Sequence, residues 1–296
     1  MERLMERVRR GEVLLADGAM GTMLFQRGLK AHECPESVNL DDLDVLRDIA
    51  SAYLEAGAEI IQTNTFGGSP LKLERYNLAG KTGEINRRAV EAVRDAVGDR
   101  AYISGSCGPS GRLLIPYGDT APEQVYEGAL KQMEALIDAG VDAICVETMT
   151  DITEAVLNVK AAKVISDDIP VMATMTFDRT PKGFYTIMGV TIENAADELT
   201  RAGADIIGSN CGHGIELMIK IAKEFSIRTK RPLIIQSNAG LPRIADGIPT
   251  YPESPDFMAE KARQLIDIGV SVIGGCCGTT PEHIRALRAM LDSLKS

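Results

Sequence analysis

No apolar run in this chain approaches the roughly 18 residues that a membrane-spanning helix needs, so a bilayer span is not expected. Nor is there an excess of positive charge: 32 basic residues face 42 acidic ones, for a formal net charge of −10. That balance argues against general binding to nucleic acid or to an anionic membrane, since both need a cationic face. The N-terminus, "MERLMERVRRGEVLL", is charged and helix-like, without the apolar stretch and small-residue cleavage site of a secretory signal. Six cysteines in such a chain point to reduced thiols in a cytoplasmic setting rather than a disulfide framework. Linkers are missing as well: no Pro/Ser-rich stretch or shift in composition divides the chain. With 296 residues, 45% of them hydrophobic, residues 1–296 are expected to form one large α/β domain.

What is present is regular. Apolar or β-branched runs recur at 13–21, 58–68, 101–111, 142–151, 170–178, 205–214, 232–242 and 271–281. Amphipathic stretches rich in Ala, Leu, Glu, Lys and Arg separate them. Three of these stretches close on one phrase, "YLEAGAEII", "LIDAGVDAI" and "LTRAGADII", which reads as a helix end, a left-handed glycine cap and a strand. Eight strand signals alternating with helices at roughly 30–45 residues predict a single (β/α)8 TIM barrel. A doubly wound open sheet is the competing fold, but no strand is followed by a GxGxxG turn. "DRTPKGFYTIMGVT" after the fifth strand is turn-rich and predicts an extended loop or a short hairpin.

In such a barrel the chemistry sits at the carboxyl ends of the strands. The unusual polar residues of this chain fall there: Asp17 and Gly18, Asn64 and Thr65, Cys107 and Gly108, Glu147, Thr176 and Asp178, Asn210 and Cys211, Asn238, and the adjacent pair Cys276 and Cys277. Closure of the barrel would bring Cys211, at the end of the sixth strand, near Cys276 and Cys277 at the end of the eighth. Successive side chains on a strand point to opposite faces, so both cysteines can turn to one point only where the strand has ended or bulged; Gly274, Gly275 and Gly278 allow this. Three converging thiolates suit Zn2+, and three protein ligands with an open position are the catalytic arrangement. The other reading of the same residues is three small buried hydrophobes.

"LLADGAMGTML", "AGAEIIQTNTFGG", "GSCGPSG", "VETMTDITEA", "GSNCG", "SNAGLP" and "GGCCGTTPEHI" together resemble the zinc-dependent homocysteine S-methyltransferase family, most of all the homocysteine-binding barrel of cobalamin-dependent methionine synthases. The likeness runs from about residue 11 to 291. It implies zinc held by Cys211, Cys276 and Cys277, which are then the catalytic center. Homocysteine sulfur would take the open position and leave as methionine. It also implies that Asp17 and Glu147 hold the substrate ammonium group and that the backbone N–H groups of Ala19, Met20 and Gly21 receive its carboxylate. Asn238 would orient the substrate or fill the fourth zinc position in its absence. His213 reads as an exposed loop residue, with a fourth ligand or a proton acceptor as the alternatives, and His32 and His283 read as structural.

"DGAMGT" and "TNTFGG" resemble the corrinoid-dependent branch, and the missing tryptophan sets the chain apart from the sulfonium-dependent branch. No Asp-x-His-x-x-Gly corrinoid motif occurs, and no cobalamin or folate module is expected within residues 1–296. The implied donor is a methyl-corrinoid on a separate protein; the alternative is that these residues are a domain excised from a larger enzyme. Three other readings remain: a corrinoid-linked zinc methyltransferase for another small methylated metabolite or thiol, a sulfonium- or betaine-dependent homocysteine methyltransferase, and a regulatory barrel that binds zinc or homocysteine without turnover.

Overall fold

Each apolar run becomes a strand, and each strand leads into a helix. The computed structural model describes residues 2–30, 32–245 and 248–294. The strands are β1 (Leu14–Leu15), β2 (Ile60–Gln62), β3 (Tyr102–Cys107), β4 (Ala143–Met149), β5 (Val171–Met175), β6 (Ile206–Asn210), β7 (Leu233–Ser237) and β8 (Val270–Gly275). The helices that follow them are α1 (Leu43–Glu55), α2 (Thr82–Val97), α3 (Pro122–Asp138), α4 (Ile152–Ile165), α5 (Ile192–Ala202), α6 (Ile215–Arg228), α7 (Pro255–Ile268) and α8 (Pro281–Ser293). Strand order is β1-β8-β7-β6-β5-β4-β3-β2, every pairing parallel. A parallel bridge from Ala16 to Ile60 joins β1 to β2 and closes the ring. Two backbone bonds flank it, Glu59 N–H to Leu15 O at 2.7 Å and Asp17 N–H to Ile60 O at 3.0 Å. The architecture is the (β/α)8 barrel that the spacing predicts.

Local chemistry sets the helix ends. Asp42, Asp151, Thr191 and Ser254 accept first-turn backbone N–H groups at the starts of α1, α4, α5 and α7. The three "AG" phrases end their helices as read: Gly57, Gly140 and Gly203 have φ of 97°, 90° and 105°.

Two apolar layers result from strand alternation. Outward-facing residues such as Leu15, Ile61, Ile103, Ile144, Ile207 and Ile273 pack against the helices. Inward-facing Leu14, Ile60, Tyr102, Ala143, Met172, Ile206, Ile234 and Val272 fill the lower barrel, and Leu4 and Val8 of the short helix Leu4–Arg9 join them from below. Two residues further along the same strands the interior turns polar, with Gln62, Ser104, Thr174 and Gln236. At the mouth follow Ser106, Glu147 and Asn210. The barrel is thus apolar at its floor and polar at its carboxyl end.

A hairpin, Asp178–Thr180 with Gly183–Tyr185, follows β5 where the turn-rich segment falls. A second, Arg243–Ala245 with Ile248–Thr250, follows β7 and had no clear signal in the sequence.

Candidate metal and substrate site

Three cysteine sulfurs converge at the mouth. β6 ends at Asn210, and Cys211 then takes a left-handed φ of 60°; β8 ends at Gly275, so Cys276 and Cys277 lie beyond strand alternation. The Sγ atoms of Cys211, Cys276 and Cys277 all lie within 4.8 Å of one another, with Cys211 and Cys277 at 3.8 Å. A tetrahedral zinc with Zn–S bonds of about 2.3 Å requires sulfurs about 3.8 Å apart, so the donor set fits that ion. The end of β7 lies between the two cysteine-bearing turns and ties them together. Cys211 N–H donates to Gln236 O at 3.1 Å, Cys276 N–H to Ser237 O at 2.7 Å, and Ala239 N–H to Cys277 O at 3.0 Å. The thiols share charge unequally. Hydrogen bonds from Cys276 and Cys277 draw the Cys211 pKa far down, while those same bonds to Cys211 hold Cys276 and Cys277 up. Full deprotonation of the trio therefore calls for a cation.

Beside the sulfurs stands an acidic wall. Glu147 is 6% exposed; its Oε1 accepts from Ser106 Oγ at 2.5 Å and its Oε2 from Asn210 Nδ2 at 3.0 Å. Burial raises its pKa to about 7. Asp17 is 1% exposed, and one carboxylate oxygen accepts from Gln62 N–H at 2.8 Å while the other, Oδ1, has no partner. Burial first, and the Glu147 charge with it, raises the Asp17 pKa to about 8. Two buried carboxyls, one with an unmatched oxygen, fit a cationic group of a ligand.

The "DGAMGT" turn opens the short helix Met20–Gln26. Met20 and Gly21 are its first residues, whose N–H groups have no acceptor within the helix. The Ala19 N–H already donates to Thr279 Oγ1 at 3.2 Å, and Tyr53 Oη donates to Ala19 O at 3.1 Å. Asn238 is 4% exposed with its Oδ1 unpartnered.

Some of the residues expected on the rim do other work. Cys107 is fully buried in the outer layer, with its Sγ 3.8 Å from Met133 Sδ. Asn64 braces its loop by donating to Pro35 O at 2.7 Å and Asn39 Oδ1 at 2.8 Å. His213 is not the exposed loop residue expected: its side chain is 19% exposed, and its Nε2 lies 2.9 Å from Asp178 Oδ1 of the first hairpin. His283 is structural as expected, meeting Thr280 N–H through Nδ1 and Glu253 O through Nε2. Ser106, Thr148, Thr174 and Tyr53 carry no role that a local motif announces. Their contacts depend on which strands become neighbors, and no local motif carries that.

A model of the homocysteine S-methyltransferase family matches residues 14–291. The chain is 34% identical to methionine synthase of Mycobacterium leprae over 94% of its length, and 34% identical to that of Mycobacterium tuberculosis over 96%. It spans about a quarter of the length of these relatives, 24% and 25%. Among solved structures, the metallated form of the homocysteine methyltransferase MmuM from Escherichia coli superposes with a TM-score of 0.80 at 22% identity, covering 97% of this chain and 99% of that one. At that identity the match speaks for the fold. The family model covers almost the whole barrel, including all three converging cysteines and both buried carboxyls, and the chain belongs to the homocysteine S-methyltransferase family.

Proposed function

We propose that this single barrel transfers a methyl group to the sulfur of homocysteine, forming methionine, with zinc held by Cys211, Cys276 and Cys277. The observation that carries this reading is the convergence of three sulfurs next to two buried carboxyls. A zinc ion held there supplies the positive charge that keeps an alkyl thiol deprotonated, and so nucleophilic, at neutral pH. The residues of the chain do the rest. Asp17, with its free Oδ1, and Glu147 receive the substrate ammonium group. The Met20 and Gly21 N–H groups face the carboxylate, with Ala19 in the same turn, and Asn238 offers its unpartnered Oδ1 at the sulfur end. Holding both ends of the amino acid fixes the sulfur's direction of approach, where orientation contributes much of the rate.

For the donor we favor a methyl-corrinoid carried outside this barrel on a separate protein, in the cytoplasm. The support is the likeness of "DGAMGT" and "TNTFGG" to the corrinoid-dependent branch, together with the identity to the methionine synthases. Loops around the mouth also carry exposed apolar side chains, Leu113, Ile115, Tyr117 and Ile187, which suit a macromolecular donor better than a small one. Among the described residues no helix is long and apolar enough to cross a membrane.

The test is turnover of zinc-loaded protein with homocysteine and free methylcobalamin, followed anaerobically by the visible spectrum. Demethylation with stoichiometric methionine is expected. No reaction, with zinc and homocysteine both bound, would move the donor to a sulfonium or betaine compound. Failure to bind homocysteine would overturn the substrate.

A further inference from the structure

Asn210, the last residue of β6, is completely buried and spends its whole amide on the site. Its Oδ1 accepts from Thr148 N–H at 2.8 Å and from Thr174 Oγ1 at 2.8 Å. Its Nδ2 donates to Glu147 Oε2 at 3.0 Å and Thr148 Oγ1 at 2.8 Å, and lies 3.8 Å from Cys276 Sγ. One side chain therefore touches the acidic wall and the sulfur cluster together. Thr148 has a left-handed φ of 59°, a costly conformation for a β-branched residue that persists only where the surroundings impose it. Asn210 imposes it, binding both the backbone N–H and the hydroxyl of Thr148. The twist at Thr148 comes directly after Glu147, on the strand that aims that carboxyl into the barrel.

We infer that Asn210 is a positioning residue that sets the distance between the ammonium-binding carboxyl Glu147 and the sulfur-binding cysteines, and so selects the chain length of the acceptor thiol. The inference rests on the proposed substrate reading. An amino acid held at both ends fits only when the carbons between its ammonium group and its sulfur span a fixed gap. Homocysteine has one more methylene than cysteine, and a rigid gap rejects the shorter thiol. Without Asn210, Thr148 relaxes, Glu147 loses a donor, and the gap is no longer fixed.

The experiment measures binding of L-homocysteine and L-cysteine to zinc-loaded protein by calorimetry, with zinc content determined on the same samples. Wild type is expected to prefer homocysteine. In Asn210→Ala the homocysteine affinity should fall about tenfold or more, the loss of a hydrogen bond to a charged group, with zinc still at one per chain. Cysteine affinity should change much less, so that the preference collapses. Asn210→Asp keeps the shape and the accepted bonds of Oδ1 but removes every donated one, and serves where the alanine variant does not fold; the same collapse is expected. An unchanged preference in either folded variant, or loss of zinc in parallel with homocysteine, overturns the inference while leaving the substrate reading intact. A wild-type protein without preference overturns both.

Discussion

Burial against charge decides the behavior of the individual site residues. Asp17 and Glu147 are ordinary carboxyls in the unfolded chain, and desolvation raises them to about 8 and about 7 in the fold. The sign for stability follows from proton counting. An unfolded Asp loses its proton near pH 4, whereas folded Asp17 keeps it up to about pH 8. Between those values the unfolded state binds fewer protons, so the ligand-free protein loses stability as pH rises from about 4 to 8 and levels off above. Asp17→Asn should flatten that decline, leaving the smaller slope due to Glu147; thermal melts across pH 5–8 check it, and an undiminished slope would show that Asp17 is not the group responsible. The cysteines show how far residue identity carries. "GSNCG" and "GGCCG" single out Cys211, Cys276 and Cys277, whereas the other three, Cys34, Cys107 and Cys145, are small buried side chains of the scaffold.

Strand alternation sorts the roles of whole elements. On β6, Ile206 packs in the barrel floor, Gly208 lies above it and Asn210 reaches the mouth, two residues apart each time. Gly208 has no room for a side chain, since a Cβ there would stand 1.9 Å from the Ile234 carbonyl oxygen of the neighboring strand. Gly208→Ala should therefore cost about 3 kcal/mol or more by forcing β6 and β7 apart, read as a lower urea midpoint. Little or no loss would mean that the strands part easily there. Gly208 sits in "DIIGSNCG", where the pattern marks a strand but not the crowding, because crowding depends on the register between β6 and β7. The "AG" caps were legible for the opposite reason: a helix end is local, and the glycine reports its own φ.

At the scale of the whole molecule, stability and chemistry occupy opposite ends of the barrel. The floor is closed by Leu4 and Val8, buried with the first inward-facing layer, while the sulfurs and carboxyls line the mouth. Leu4→Ala should cost about 2 kcal/mol, a fall of roughly 4–8 °C in Tm, without changing the zinc affinity of the cysteine trio. Calorimetry and a zinc competition titration on the same sample test this; coupled losses would show that the floor and the site move together.

The sequence by itself determined the eight-fold alternation, the helix caps, the charge balance and the residue types available at the strand ends. These are local or compositional properties, written in windows of a few residues. Only the tertiary structure decided that Cys211 meets Cys277 across the end of β7, that Glu147 leans on Ser106 of the adjacent β3 and on Asn210 of β6, beyond β5, and that Asn64 and Cys107 serve the scaffold instead. Those contacts join residues tens of positions apart, and they exist because the sheet curls into a barrel that turns the carboxyl ends of β3, β4, β6 and β8 toward one point.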